Sequence, residues 1–94
     1  MILDDHMEAL KGILRIDSVN SYPEIEETLI PAAESVIADS VGLEWVEANS
    51  TNSTVVQLAC TLVAVWFEKP ETFGELTPGA NSMIHQLQAK AAEA

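Results

Sequence analysis

One stretch of the sequence decides the fold: residues 54–69 read TVVQLACTLVAVWFEK. Apolar side chains cover nearly every side of a helix built from these residues, and a soluble helix of that kind is normally the central, most buried one. Asn52 or Ser53 can cap its start, and the Lys69-Pro70 step ends it because the residue before a proline avoids helical geometry. The stretch therefore predicts a buried central helix.

The amino-terminal residues predict a first helix that Asp4 or Asp5 caps. Its apolar side chains recur at the three- and four-residue steps of a helix face: Leu3, Met7, Leu10 and Leu14. Lys11 and Arg15 fall in its last turns, where cations complement the helix dipole.

A second helix is predicted from Ser21, where a Ser-x-x-Glu capping box marks a helix start, to the glycine stop at Gly42. Pro31 conflicts with this prediction, because a proline inside a helix removes one hydrogen bond and crowds the preceding turn. We therefore expect a kink near residues 28–31 or two shorter helices.

The remaining residues are interpreted as connections and a last helix. Residues 42–53 hold three apolar side chains followed by a polar run, which indicates a loop or a short extended pair. Residues 71–76 form an acidic loop, and the Thr77-Pro78 step opens a last amphipathic helix. The predicted fold class is all-α: residues 1–94 form one domain, a small helical bundle of three to five helices with a central apolar helix.

Charge and composition exclude several classes of function. Fifteen Asp and Glu stand against four Lys and Arg, a formal net charge of −11, yet 48% of the residues are hydrophobic, which is apolar enough to fold. Four scattered cations cannot bind nucleic acid by neutralising phosphates, and the charge opposes docking on anionic membranes. The apolar stretch 55–67 is shorter than the roughly 20 residues that span a bilayer. No secretory signal opens the sequence, so we expect a soluble, intracellular protein.

No residue pattern predicts catalysis, a cofactor or a metal site. His6 and His85 are far apart in the sequence, whereas a zinc site needs three or four converging ligands. The single cysteine, Cys60, excludes a disulfide within the chain, and its place in the apolar stretch favours a packing role. The acidic clusters lack the spacing of a calcium loop. We therefore expect a protein that is not an enzyme.

One short motif offers an alternative function. Asp39-Ser40-Val41 resembles the Asp-Ser-Leu motif of acyl carrier proteins, which are small, acidic and helical and carry phosphopantetheine on that serine. Carrier proteins place the serine at the start of a helix, whereas Ser40 follows a helical stripe and precedes Gly42. Modification at Ser40 stays open as an alternative, as does a helical regulator that binds another protein through an exposed apolar patch.

Three segments carry a second resemblance, which spans residues 3–90. Residues 10–17 read LKGILRID, residues 30–37 read IPAAESVI, and residues 64–71 read AVWFEKPE. In this order they resemble the opening helix, the acidic Ala-Ala helix and the aromatic signature of the small head–tail connector proteins of tailed bacteriophages, also called head-completion or DNA-packaging adaptor proteins. Pro70 stands where that family has an arginine after the signature.

This resemblance implies a structural subunit of a virion. Such a subunit assembles with itself into a ring, expected to be dodecameric, on the portal protein at the DNA-exit vertex. The ring extends the DNA channel and docks tail or stopper proteins, while DNA passes through without specific binding and no membrane takes part. The implied location is the virion head–tail interface, reached from the host bacterial cytoplasm during assembly. An acidic lining would repel the DNA backbone and let it slide.

Candidate interface residues are the apolar side chains of the two connections beside the central helix. We expect them to contact neighbouring subunits or the portal: Leu43, Trp45, Val46, Phe73 and Leu76. The alternative for Trp45 is a place over the core, since tryptophan is enriched in cores and interfaces alike.

Overall fold

A computed structural model describes residues 2–18 and 21–93 of the chain. Within them every regular element is helical, which confirms the all-α prediction. The α-helices are α1 (Met7–Leu14), α2 (Ile30–Val41), α3 (Leu43–Ala48), α4 (Ser53–Glu68) and α5 (Pro78–Glu93). A π-helical segment, Ile25–Leu29, precedes α2, and a 3-10 turn, Pro70–Thr72, follows α4. None of the helices in the described residues combines the length and the hydrophobicity that crossing a membrane requires.

The central helix is α4, as the apolar stretch predicted. It contacts α1, α2, α5 and the π-helical segment. Asn52 caps its start, because the side-chain Oδ1 accepts hydrogen bonds from the N–H of Thr54 at 2.9 Å and of Val55 at 3.3 Å. Its buried side chains form the middle of the core: Val55, Leu58, Ala59, Cys60, Leu62, Val63 and Trp66.

Pro31 perturbs the second helix where the sequence predicted, but it does not divide the helix into two. The perturbation is the π-helical segment Ile25–Leu29, after which the N–H of Ile30 bonds to the Ile25 carbonyl, five residues earlier. Pro31 has no N–H, and its ring crowds the carbonyl four residues before it, so the wider turn accommodates the ring. The helical path continues from this segment into α2 without a break.

The first helix starts later than the apolar spacing predicted. α1 begins at Met7, and its N-cap position is held by His6 rather than by Asp4 or Asp5. The N–H of His6 bonds to the Leu3 carbonyl at 3.1 Å, so the preceding residues make a turn instead of a first helical turn.

A buried carboxylate holds that turn against the core. Glu34 of α2 is only 8% exposed, and its Oε2 accepts hydrogen bonds from the N–H of Ile2 at 2.5 Å and of Leu3 at 3.0 Å. Hydrogen bonds from backbone donors to an ionised acceptor are stronger than neutral ones. Ile2 and Leu3 are therefore buried without being helical.

α3 corrects the prediction for residues 42–53, which the sequence indicated as a loop or an extended pair. Gly42 ends α2 with φ at +124°, a conformation that residues with side chains rarely adopt, and α3 follows at once. A helix of six residues has little stability of its own. Burial of one face stabilises it, since Val46 is fully buried while Leu43 on the same helix is 53% exposed.

The last helix agrees with its prediction. α5 begins at Pro78, and the Thr77 hydroxyl oxygen accepts a hydrogen bond from the N–H of Ala80 at 3.1 Å. Lys90 lies in its last turn. α5 contacts both α2 and α4, and it buries Ala80, Ile84 and Leu87 against them.

Candidate functional site

The aromatic residues gather at one end of α4. The chain has two Trp, one Tyr and two Phe, and all of them except Trp45 meet where the end of α4 approaches the π-helical segment. The rings of Tyr22 and Phe67 lie 5.2 Å apart at 88°, an edge-to-face pair. Those of Trp66 and Phe73 lie 5.2 Å apart at 56°. Such pairs stabilise beyond the area that they bury.

Three of these rings, those of Trp66, Phe67 and Phe73, line a groove of about 250 Å³, which we call the aromatic groove. Its lining residues come from the π-helical segment and the residue before it, from α4, and from the 3-10 turn and the loop after it: Glu24, Thr28, Leu29, Trp66, Phe67, Pro70 and Phe73. Departures from the α-helix toward π geometry are frequent at functional sites. The groove is the candidate functional site.

Trp66 fixes the loop that forms one side of the groove. It is 1% exposed, and its Nε1–H donates to the Glu75 carbonyl at 3.0 Å. Gly74 allows the turn between them with φ at +86°. Phe73 stays 47% exposed on this loop, although it contacts the Trp66 ring. A large hydrophobic side chain is therefore presented to solvent by a loop that is itself held in place.

Exposed acidic side chains occur on the segments that form the aromatic groove. Glu24 lines the groove. Glu68, Glu71 and Glu75 adjoin lining or loop residues in the sequence. All four are exposed, and we call them the acidic rim. Lys69 is the cation that accompanies them on the same segment. Charges of one sign beside a low-dielectric groove raise the local concentration of opposite charge. The site is therefore apolar inside and negative at its edge.

A second groove lies at the opposite end of α4, between this helix and α1. Its volume is about 350 Å³, and we call it the uncharged groove, because no Asp, Glu, Lys or Arg is among the described residues that line it. Its lining residues are His6, Ala9, Ile13, Thr51, Ser53, Val56, Gln57 and Cys60. Ile13 is 46% exposed there.

Cys60 belongs to the core at the floor of the uncharged groove. It is 1% exposed, and burial raises the pKa of its thiol above the ordinary value of 9.0. A raised pKa keeps the sulfur protonated and unreactive at neutral pH. The packing role predicted for this residue agrees with its burial.

The structure divides the predicted interface residues into three groups. Leu43 and Phe73 are exposed, and Trp45 and Leu76 are half-buried against the core. Val46 is fully buried in the core, so in this structure it offers no surface to a partner. The sequence could not separate it from Leu43, because the separation depends on α3 being a helix.

Sequence reasoning missed part of the aromatic groove. Leu29 joins it only because the π-helical segment approaches α4, which is a tertiary contact, and Tyr22 packs against Phe67, a lining residue, through another. The available signal was the Trp66-Phe67 pair followed closely by Phe73. Aromatic residues clustered around the end of one helix indicate a shared surface there.

The other sequence candidates do not converge on a site. Ser40 lies within the last turn of α2, where its backbone carbonyl accepts a hydrogen bond from Nε2 of Gln88 at 2.8 Å. The part of the chain that the structure describes contains no group of three or more His, Cys, Asp or Glu placed to hold a metal ion. Comparisons of the chain with protein-family models, with curated proteins and with solved structures found no match.

Proposed function

We propose that the chain is a head–tail connector subunit of a tailed bacteriophage or prophage. In this role it forms a ring on the portal protein, extends the DNA channel and docks a tail or stopper protein. The proposal starts from the ordered resemblance of residues 10–17, 30–37 and 64–71 to that family. It describes a protein that acts by assembly.

One observation carries the proposal. Each of the two regions that the resemblance implicates in docking exposes a large hydrophobic side chain: Leu43 on α3 is 53% exposed, and Phe73 after the 3-10 turn is 47% exposed. The centres of protein interfaces are enriched in such side chains, and aromatic residues there contribute much of the binding energy. The surface therefore suits contacts with other proteins.

The charge supports the same role. With a net charge of −11, a ring of such subunits has a strongly negative surface. A negative channel repels phosphates and gives DNA no counterion-release binding, so DNA can slide. Exposed Glu44 and Glu47 place acid beside Leu43 as well.

The carrier alternative receives no support from the position of Ser40. A phosphopantetheine arm is attached at a helix start in that family, whereas Ser40 is in the last turn of α2 and is half-buried. Incubation with a phosphopantetheinyl transferase and coenzyme A tests it directly. A gain of the prosthetic-group mass at Ser40 would favour the carrier function over the connector.

Reconstitution with the portal protein tests the proposal. The purified chain is mixed with portal rings encoded by the same genome, and the products are examined by native mass spectrometry and electron microscopy. We expect an added ring of density on the portal. Leu43→Ser should weaken its binding about tenfold or more, whereas Ala48→Ser, an exposed change on the same helix, should not. A chain that never binds portal rings would contradict the proposal.

A further inference from the structure

We propose that the aromatic groove of one copy binds the tip of α1 from a second copy, so that subunits join head to tail. The α1 tip is Ile13 together with Arg15, which follows the helix directly. The inference rests on the proposed function only for the ring that such contacts would build. The contact itself is argued from the two surfaces.

The size of the aromatic groove limits its occupant. At about 250 Å³ it is smaller than the roughly 300–1,000 Å³ that small-molecule sites occupy. It suits one or two side chains of a partner protein. The exposed ring of Phe73 and the half-buried ring of Phe67 offer faces to an aliphatic side chain and to a guanidinium group, which stacks on aromatic rings.

The α1 tip presents that pair of side chains. Ile13 is 46% exposed, and Arg15 is exposed as the residue that ends α1. Arg15 has φ at +58° and ψ at 45°, the left-handed conformation in which helices usually place glycine. The chain thus carries a long cationic side chain at a position where the backbone conformation favours glycine, which has no side chain.

Charge selects the α1 tip from the other cationic positions. Lys11 forms an ion pair with Glu8 at 2.8 Å, Lys69 adjoins the aromatic groove itself, and Lys90 lies in the last turn of α5. Lys11 and Arg15 both stand two residues from the exposed Ile13, and we choose Arg15 because Lys11 is engaged with Glu8. Opposite charges at an interface favour the encounter and fix its orientation.

The same electrostatics oppose a symmetric contact between two aromatic grooves. Such a contact would place one acidic rim against another in a chain that already carries a net charge of −11. Like charges brought together at an interface disfavour that pairing. A contact between the aromatic groove of one copy and the α1 tip of another avoids this repulsion.

The two surfaces lie at opposite ends of α4. Val56 lines the uncharged groove beside Ile13, whereas Phe67 lines the aromatic groove. At 1.5 Å per residue these two α4 positions are roughly 16 Å apart along the helix. A contact between two different surfaces of the same chain is heterologous, and it repeats until it closes into a ring or continues as a filament.

Complementary variants test the contact without any other protein. Phe73→Ser removes the groove surface, and Ile13→Ser removes the tip. We expect the parent to self-associate above its 10.2 kDa monomer mass in native mass spectrometry as its concentration rises. Each variant alone should stay monomeric, and an equimolar mixture should give dimers that grow no further, because one intact tip and one intact groove remain. Ala48→Ser, an exposed change outside both surfaces, should associate like the parent.

A charge exchange tests the orientation. Arg15→Glu should weaken self-association, and adding Glu24→Lys in the same chain should restore it, whereas Lys90→Glu should change little. Rising salt should weaken association of the parent, since exposed charges are screened within a Debye length. Circular dichroism of every variant checks that the helices are retained.

Several results would overturn the inference. These are a parent chain that stays monomeric at every concentration, a mixture that forms no dimer, or a Phe73→Ser variant that associates normally. Protection of the aromatic groove only when portal protein is added would assign the groove to the portal instead. Failure to bind portal rings with head-to-tail association intact would remove the proposed function and leave this contact standing.

Discussion

The grooves at the two ends of α4, of about 350 Å³ and about 250 Å³, differ in the side chains that form them and in whether a charged residue lines them. At the amino-terminal end the uncharged groove is bordered by α1, with Ile13 exposed and Cys60 beneath it. At the other end the aromatic groove is bordered by the π-helical segment and the acidic rim. One apolar helix thus supports two surfaces of different chemistry.

This difference bears on the proposed self-association of a strongly acidic chain. If both ends carried an acidic rim, copies would repel one another at either end. Glu24 lines the aromatic groove, whereas Arg15 follows α1, the helix that borders the uncharged groove, so the two surfaces that the proposed contact joins include charges of opposite sign. The proposed head-to-tail contact pairs these two surfaces.

The largest effect is expected from Trp66→Ala. This change removes a fully buried ring, its hydrogen bond to the Glu75 carbonyl and the support of Phe73. The free energy of unfolding should fall by about 3–5 kcal/mol, enough to unfold much of so small a domain. Val56→Ala at the other end of α4, where the side chain is half-buried, should cost about 1 kcal/mol. Urea denaturation followed by circular dichroism measures both, and equal losses would show that the two ends are equally stabilising.

A smaller effect distinguishes Glu34, a buried carboxylate, from the exposed carboxylates of the acidic rim. Glu34→Ala leaves the N–H groups of Ile2 and Leu3 without their carboxylate, which should cost about 1–3 kcal/mol. Glu71→Ala in the exposed acidic rim should change stability by no more than about 0.5 kcal/mol. Thermal melts of the two variants decide this. A loss at Glu71 as large as that at Glu34 would mean that the acidic rim stabilises the fold.

The smallest effect concerns Cys60 beneath the uncharged groove. Burial raises the pKa of the thiol above 9.0, so at higher pH the folded chain keeps a proton that the unfolded chain has lost. The free energy of unfolding should therefore fall as the pH rises from about 8 to about 10. Cys60→Ala should remove that part of the pH dependence, which denaturation at both pH values measures. If Cys60→Ala left the dependence of the free energy of unfolding on pH unchanged, the thiol would be exposed to solvent instead of buried.

The sequence was sufficient where a pattern is local. The wide apolar stripe of residues 54–69 identified α4, and Gly42 marked the end of α2. Pro31 located the perturbed turn, because the missing N–H and the crowded ring are properties of that residue alone. These features need no knowledge of what lies nearby.

Features that depend on tertiary contact could not be predicted. Leu3 fits a helix face but is held before the helix by Glu34, a residue thirty-one positions away. α3 is too short to be identified from propensity, and the inward side of Val46 depends on packing against α2. The aromatic groove likewise needs the approach of the π-helical segment to α4. Phe73, the exposed residue of this groove, was identified from the sequence. The hydrogen bond that holds its loop in place could not be predicted from it.

Backbone amide hydrogen exchange in dilute and concentrated samples tests whether the α1 tip of one copy binds the aromatic groove of another. Head-to-tail contact should slow exchange on concentration at both ends of α4 together, in residues 9–15 around the α1 tip and in residues 22–29 and 66–75 around the aromatic groove. Phe73→Ser should abolish the slowing at both ends, although it alters only one. Slowing confined to a single end, or none at any concentration, would contradict the claim that these two surfaces bind each other.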